Sequence, residues 1–438
     1  MRLRRSHTLV LAVLLGAAVV APTPATAQRV AAALLTAPST WNTLVHDLSS
    51  GRTVWSAPGA MVRGVLTADG RYLLYWRAIQ APSGGVNLVL ADTVGGSSEL
   101  LSFDFEPWLA HPRDLAVYGL TRKRTTGFGT SVGVLARLDG SGLHELGGCP
   151  ADSTASFAIS VDGGTIGAVC ESGDVAIVDA TTGNARRTIP AGARPYGGVA
   201  VTSGNTVVVA RVGSGTSDSA ARFDAGTGAL LSAVGFPPGG LIGSTACTGR
   251  IAVSAADGRL VMTCSVVVPS VPSPRTLSAT RVLDPSLGSW GEPIGDFGSP
   301  YYGSVDPEGN VLTATWANEF GSEFVQMELE TGTPRRTYGG VLALATAYAP
   351  LPPTLAVAIS GSRVDLSWTL PVHSPPATRY VLDVGSVSGL SNLGTIEAGS
   401  GSTFGATGVP AGTYFVRLRA VNYGGTSAAS NELRIDVP

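Results

Sequence analysis

From Thr40 to Tyr348 the chain alternates short apolar runs with two kinds of turn. One kind comprises Ala68-Asp69-Gly70, Pro112-Arg113-Asp114, Asp162-Gly163-Gly164, Ser203-Gly204-Asn205, Asp257-Gly258 and Asp306-Pro307-Glu308-Gly309. Each precedes an apolar strand: Tyr72-Leu73-Leu74-Tyr75, Leu115 to Tyr118, Thr165 to Val169, Val207-Val208-Val209, Leu260-Val261-Met262 and Val311-Leu312. Asp and Asn start such turns by accepting hydrogen bonds from nearby backbone, and Gly supplies a positive φ. The second kind alternates with the first: Leu48-Ser49-Ser50-Gly51, Thr93-Val94-Gly95-Gly96, Asp139-Gly140, Thr181-Thr182-Gly183, Ala225-Gly226-Thr227-Gly228, Pro285 to Gly288 and Glu330-Thr331-Gly332. Two hairpin turns per repeat give four strands per repeat, with a spacing of 40 to 55 residues. That is the grammar of a β-propeller blade. A solenoid repeat is shorter, and one sandwich rarely needs so much chain.

The second kind of turn occurs seven times and the first six times, so one repeat lacks its inner turn. A split sheet explains the difference. Val341 to Tyr348 supplies its innermost strand, and Val30 to Leu35, Asn42 to Asp47 and Arg52 to Ser56 supply the other three. Strands from both ends of the segment then close the ring and leave no exposed gap. The expected fold is all-β: a seven-bladed β-propeller with a split closing blade over residues 28–349. The Pro-rich insertion between Cys247 and Trp290 (Pro269, Pro272, Pro274) keeps six or eight blades open. Strand, Asp, then Thr-Gly turn recurs in Val175 to Gly183 and in Arg222-Phe223-Asp224-Ala225-Gly226-Thr227-Gly228. In these residues the segment resembles the bacterial propellers with YVTN-type or tryptophan–aspartate-like repeats. The resemblance implies an architecture and no activity.

Ala349-Pro350-Leu351-Pro352-Pro353 reads as a stiff extended linker, placed at residues 350–353. Beyond it the rhythm changes to strict alternation: Val364, Leu366 and Trp368; Tyr380, Leu382 and Val384; Tyr414, Val416, Leu418 and Ala420. Strands of this kind over about ninety residues, with no cysteine, fit an immunoglobulin-like sandwich. Leu366-Ser367-Trp368, Tyr380-Val381-Leu382, Gly412-Thr413-Tyr414, Arg419 to Asn422 and Gly425 to Glu432 resemble a fibronectin type III module, assigned to residues 354–438. The resemblance implies that Trp368 is the buried core indole and that the Tyr414 hydroxyl bonds backbone upstream. It also places Asn422 and Gly425 in the turn before the last strand. Such modules are usually spacers or weak binders, and no Arg-Gly-Asp supports an integrin-type role.

The N-terminus reads as an address. Arg2, Arg4 and Arg5 precede an apolar run from Leu9 to Val20, and Ala25-Thr26-Ala27 fits a cleavage site. A signal peptide over residues 1–27 is expected, with a mature chain starting at Gln28. The product is expected to be secreted or periplasmic, with no membrane insertion after cleavage. In such a compartment four cysteines should pair. Cys149 and Cys170 flank one hairpin and Cys247 and Cys264 another, so the expected bridges are Cys149–Cys170 and Cys247–Cys264.

Composition narrows the chemistry. Charged residues are 14% of the chain, Lys123 is the only lysine, and the net charge is −2. This excludes a generally basic nucleic-acid binder. Arg122-Lys123-Arg124 reads as a solvated loop. The histidines are scattered, and no dense ligand motif, nucleophile elbow or phosphate loop occurs, so neither metal nor cofactor is expected. Ser160 to Thr165 carries a fragment of the Asp-box turn of sialidase-like propellers, without the Thr-Trp that follows it there. Pro195-Tyr196 and Pro300-Tyr301 stand at equivalent distances from Asn205 and Asn310, and Pro107-Trp108 sits similarly. A channel mouth lined by Trp108, Tyr196 and Tyr301, with Arg194 nearby, would stack on flat ligand faces. The same aromatics would serve equally as wedges between blades. Two functions follow. One is a monomeric, non-catalytic binding or scaffold protein for an extracellular protein or polysaccharide. The other is an extracellular carbohydrate-active hydrolase or lyase, with Asp104 and Glu106 beside Trp108 as its acids. A quinone-dependent dehydrogenase lacks its usual signatures.

Overall fold

The computed structural model describes residues 28–438 apart from 38–39, 49, 79–84, 126–130, 153–156, 194–198, 203–204, 212–218, 236–244, 247–251, 254–259, 269–274, 285–288, 291–293, 297–298, 308–309, 319–320 and 340. Residues 1–27, where a signal peptide is expected, lie outside this set.

Consecutive antiparallel meanders run along the chain. Sheet one is ordered Arg52–Pro58, Thr40–Asp47, Gln28–Ala37, Val341–Tyr348. Ala32 pairs with Leu44 on one side and with Leu344 on the other, so both ends of the segment share one sheet as the turn count implied. Sheet two is Met61–Leu66, Tyr72–Ala78, Val86–Asp92 and Ser98–Leu101. Sheet three is Phe105–Ala110, Val117–Thr125, Ser131–Asp139 and Gly142–Glu145, with Ala151–Asp152 added to its third strand. Sheet four runs from Phe157–Ile159 to Ala185–Ile189, and sheet five from Val199–Val201 to Leu230–Gly235. Sheet six is built on the long pair Leu260–Val268 and Arg275–Asp284, and sheet seven runs from Ser299–Val305 to Pro334–Gly339. From sheet two to sheet seven, the first strand of each sheet lies beside the first strand of the next. Ser299–Val305 returns to Val341–Tyr348, which in turn touches Met61–Leu66. The ring of sheets is a β-propeller. Arg122-Lys123-Arg124 belongs to the strand Val117–Thr125, not to a loop, because the pairing with Ser131–Asp139 extends to Thr125.

Apolar layers fill the spaces between sheets. Met61, Leu73, Tyr75, Ala345 and Ala347 share the layer between sheets one and two. Ile166, Ala168, Ala176 and Val178 face sheet three, whereas Val169, Val175 and Ile177 face sheet five. Adjacent residues of one strand therefore serve two different layers.

The turns carry the hydrogen bonds their residues imply. Thr67 Oγ1 donates to Asp69 Oδ1 at 2.7 Å, and Tyr72 N donates back to Thr67 Oγ1 at 3.0 Å. Ser160, Asp162 and Thr165 repeat the arrangement in sheet four. In the second kind of turn an aspartate carboxylate accepts backbone N–H groups two and three residues on, as Asp92 does from Val94 and Gly95 and Asp179 from Thr181 and Thr182. Gly96 and Gly183 complete these turns at φ 74° each. The hydrogen bond from Arg71 holds the Asp92 carboxyl well below the usual range. The Thr182 N–H, helped by Arg186, holds that of Asp179 at about 2.

Cys149 and Cys170 are bonded, with Cα atoms 5.6 Å apart. Cys149 lies between Gly142–Glu145 and Ala151–Asp152 of sheet three and Cys170 follows the second strand of sheet four, so the bridge ties neighbouring sheets. Cys247 lies outside the described residues.

The segment at 350–353 carries no regular secondary structure. It leads into two facing sheets, one of Thr354–Ser360, Arg363–Thr369 and Thr403–Ala406, the other centred on Arg379–Gly385 and Gly412–Asn422. Leu366, Trp368, Tyr380, Leu382, Leu418 and Ile435 form their shared core. The Trp368 and Tyr380 rings pack 5.1 Å apart, and the Tyr414 hydroxyl donates to the Pro410 carbonyl at 3.0 Å.

Candidate functional site on the channel wall

Several first strands of the ring carry one residue more than their partners. The register slips by one at Val62 between Met61 and Arg63, at Trp108 between Pro107 and Leu109, and at Tyr301 between Pro300 and Tyr302. Bulges of this kind re-aim a side chain at a barrel or ring edge. Trp108 and Tyr301, matched from sequence spacing, are thus the inserted residues of their strands. Tyr301 is described by its backbone alone, and Arg194 and Tyr196 lie outside the described residues.

Around Trp108 the geometry is complete. Arg63 pairs with Trp76 and Glu106 with Leu120, which are equivalent levels of adjacent first strands. The two side chains meet in an ion pair, Arg63 Nη1 to Glu106 Oε1, with side-chain exposures of 17% and 6%. The Arg63 guanidinium carbon lies 3.6 Å from the centroid of the Trp108 ring. Phe157, from the first strand of sheet four, meets Trp108 edge-on at 5.5 Å. A cation over an indole face is attracted by the ring quadrupole, the more so when partly desolvated. Gly119 makes room for the bulge, since a Cβ there would lie 1.9 Å from the Glu106 carbonyl oxygen. The cluster therefore joins sheets two, three and four through their channel-lining strands. Trp108 itself is half-buried, packed between Arg63 and Phe157. Sequence reasoning missed Arg63. Its nearest signal is the like placement of Arg63 and Glu106 before their turns.

Glu106 is buried and ion-paired, and Asp104 is exposed, so the two acids named as a catalytic pair stand in opposite environments. Among the described residues no group of three or more His, Cys, Asp or Glu side chains could hold a metal ion. His111 is a different kind of feature. It is buried in the turn of sheet three, where Nδ1 accepts the N–H groups of Arg113 at 3.2 Å and Asp114 at 2.9 Å. Its Nε2 lies 3.1 Å from the Gly163 carbonyl oxygen, which it reaches as a donor once Nδ1 accepts. Burial pushes its pKa below the ordinary value of 6.5, against the opposing pull of Asp114. The imidazole is thus a neutral cap that joins the turns of sheets three and four.

No protein-family model matches the chain, and no curated protein matches it either. Solved structures do. A candidate 6-phosphogluconolactonase from Bacteroides fragilis is 13% identical, with 74% of this chain and 98% of that one covered at a TM-score of 0.45. TolB from Acinetobacter baumannii is 16% identical, covering 73% and 66% at 0.39. The Dos1 propeller is 11% identical, covering 70% and 81% at 0.40. Likeness at this level transfers no activity to the chain. No helix among the described residues is long and apolar enough to cross a membrane.

Proposed function

We propose that this chain is an exported, non-catalytic binding or scaffold protein. In this reading residues 1–27 are a cleaved signal peptide and 28–349 a seven-bladed propeller with a split closing blade. Residues 350–353 join it to a fibronectin type III domain at 354–438. The mature protein is monomeric, secreted or periplasmic, and presents a propeller loop face to an extracellular protein or polysaccharide. Trp108, Tyr196, Tyr301 and Arg194 are the proposed ligand contacts at the channel mouth, and Cys247–Cys264 is the proposed second bridge.

The observation that supports binding over catalysis is the state of Glu106. A buried carboxylate ion-paired with Arg63, whose guanidinium in turn lies against the Trp108 indole, is committed to structure. A glycosidase acid needs a carboxyl free to exchange its proton with a leaving group, opposite a second carboxylate at a set distance. The test is incubation of the full chain with a panel of extracellular polysaccharides, read for released ends and for retention of the protein. Retention without product, lost in Tyr301→Ala with the fold intact, is the expected result. Product release that disappears in Glu106→Gln overturns the reading in favour of the carbohydrate-active alternative.

A further inference from the structure

Pro-rich segments such as 350–353 commonly serve as spacers, yet the C-terminal pair of sheets is held against the wheel at several separate points. Asn422 Nδ2 donates to the carbonyl of Tyr348, the last residue of the closing strand in sheet one, at 3.0 Å. The carbonyl of Asp69, in the turn of sheet two, accepts the N–H groups of Tyr423 at 2.9 Å and Gly424 at 3.1 Å. Arg113, in the turn of sheet three, donates from Nη2 to the Val372 carbonyl at 2.5 Å. The Arg71 guanidinium lies over Tyr72 at 4.9 Å and Tyr423 at 5.8 Å. The joining segment itself has no slack, because Leu351 is buried and its N–H donates to Ser374 Oγ at 2.8 Å.

Two glycines permit this approach. A Cβ on Gly424 would lie 2.5 Å from the Tyr348 carbonyl oxygen, and one on Gly70 would lie 2.8 Å from the Gly424 nitrogen. Backbone meets backbone here, and no side chain fits between. The Asp69 turn is itself rigid, since its carboxylate accepts Thr67 Oγ1 and the Arg71 N–H. The contacts fall on three consecutive sheets, beginning at the seam where the last strand of the ring joins the first.

We infer that the C-terminal unit is a clasp. It binds the end of the closing strand to the turns of sheets two and three, and so keeps the wheel shut at its seam. A tether would leave the seam to the pairing of Gln28–Ala37 with Val341–Tyr348 and to the apolar layer against sheet two.

Hydrogen exchange on the full chain tests this. In the wild type the Tyr423 and Gly424 amides are expected to exchange as slowly as those of Leu418 and Ala420 in the adjoining core. Gly424→Ala is expected to speed exchange at 422–425 by about tenfold or more, and to raise it at 28–37 and 341–348 by a comparable factor. Exchange at 380–384 should stay at its wild-type rate. Free exchange of Tyr423 and Gly424 in the wild type overturns the inference. So does a Gly424→Ala chain in which 422–425 is released and the seam is unchanged. Should Gly424→Ala fail to fold, Arg113→Ala serves at an exposed position. Faster exchange at 372–374 and at the seam strand 341–348 is then the expected result, and release at 372–374 with an unchanged rate at 341–348, or no release at all, overturns the inference.

Discussion

The wheel and the C-terminal unit bury their strands in different ways. Every residue of Thr165–Val169 is buried, and so are the first four of Val175–Asp179. In Arg363–Thr369, by contrast, Val364, Leu366 and Trp368 are buried and the residues between them are largely open to solvent. A sheet in the wheel is packed between two neighbours, and a sheet in the C-terminal unit faces one. Two-sided burial favours continuous apolar runs such as Val207-Val208-Val209, and one-sided burial favours alternation. The pattern of a strand thus reports how many layers it serves.

The largest expected effect breaks this comparison most directly. Ile177→Lys and Val178→Lys should each abolish cooperative unfolding of the wheel, although the two residues are adjacent and face opposite layers. A buried, unpaired ammonium costs several kcal/mol on either side. In the C-terminal unit Leu366→Lys should be as damaging, whereas Ser367→Lys should change stability by less than about 0.5 kcal/mol. Denaturant titrations with separate probes for each unit give the answer. An equal tolerance at Ile177 and Val178, or an equal intolerance at Ser367, would remove the contrast.

A second difference is covalent. The wheel carries the Cys149–Cys170 bridge, spanning 21 positions, while residues 354–438 hold no cysteine. Cys149→Ser with Cys170→Ser should lower the stability of the wheel by about 3 kcal/mol, as expected for a loop of this length. The transition of the C-terminal unit should be unaffected by reductant except through the contacts with the wheel. In sheet six the ladder pairs Ala246 with Ser265, one step from Cys247 and Cys264. Non-reducing peptide mapping should recover both bridges.

The smallest expected effect is on pH. Burial holds the folded pKa of His111 below its unfolded value of 6.5. The unfolded chain therefore takes up that proton first on acidification. Stability from this residue is complete above about pH 7 and is lost as pH falls through 6.5, with a slope of at most about 1.4 kcal/mol per pH unit. His111→Gln should flatten that window. The steeper loss from the depressed carboxylates of Asp92 and Asp179 should remain, because it begins only below about pH 4.

Local chemistry made the wheel readable. Asp69, Asp92, Asp162, Asp179 and Asp224 announce their turns because an aspartate and the next few amides form a turn with no help from elsewhere. The split sheet was legible for the same reason, as an inner turn that fails to occur. What was not legible depends on neighbours in space. Arg63 meets Glu106 and Trp108 only because adjacent first strands sit level, and a single strand's residues do not encode that level. The bulge at Trp108 shows in the sequence only as a Pro-aromatic pair, a signal that placed the residue without deciding between wedge and ligand contact. The clasp was invisible for a further reason. Most of its hydrogen bonds use backbone groups, which every residue has, and its specific residues are two glycines among 57.

The pairing of Ala32 with Leu344 also sets an order of assembly. Gln28–Ala37 is made early, meets Thr40–Asp47 at once, and then waits with its other edge bare until Val341–Tyr348 has emerged. Contacts so distant along the chain are won late, after the entropy of closing the intervening loop has been met. A nascent or truncated chain consequently exposes a row of unpaired amides and carbonyls beside its own beginning. Bare strand edges of that kind recruit other chains. The residues most exposed to misassembly during biogenesis are those that seal the finished molecule.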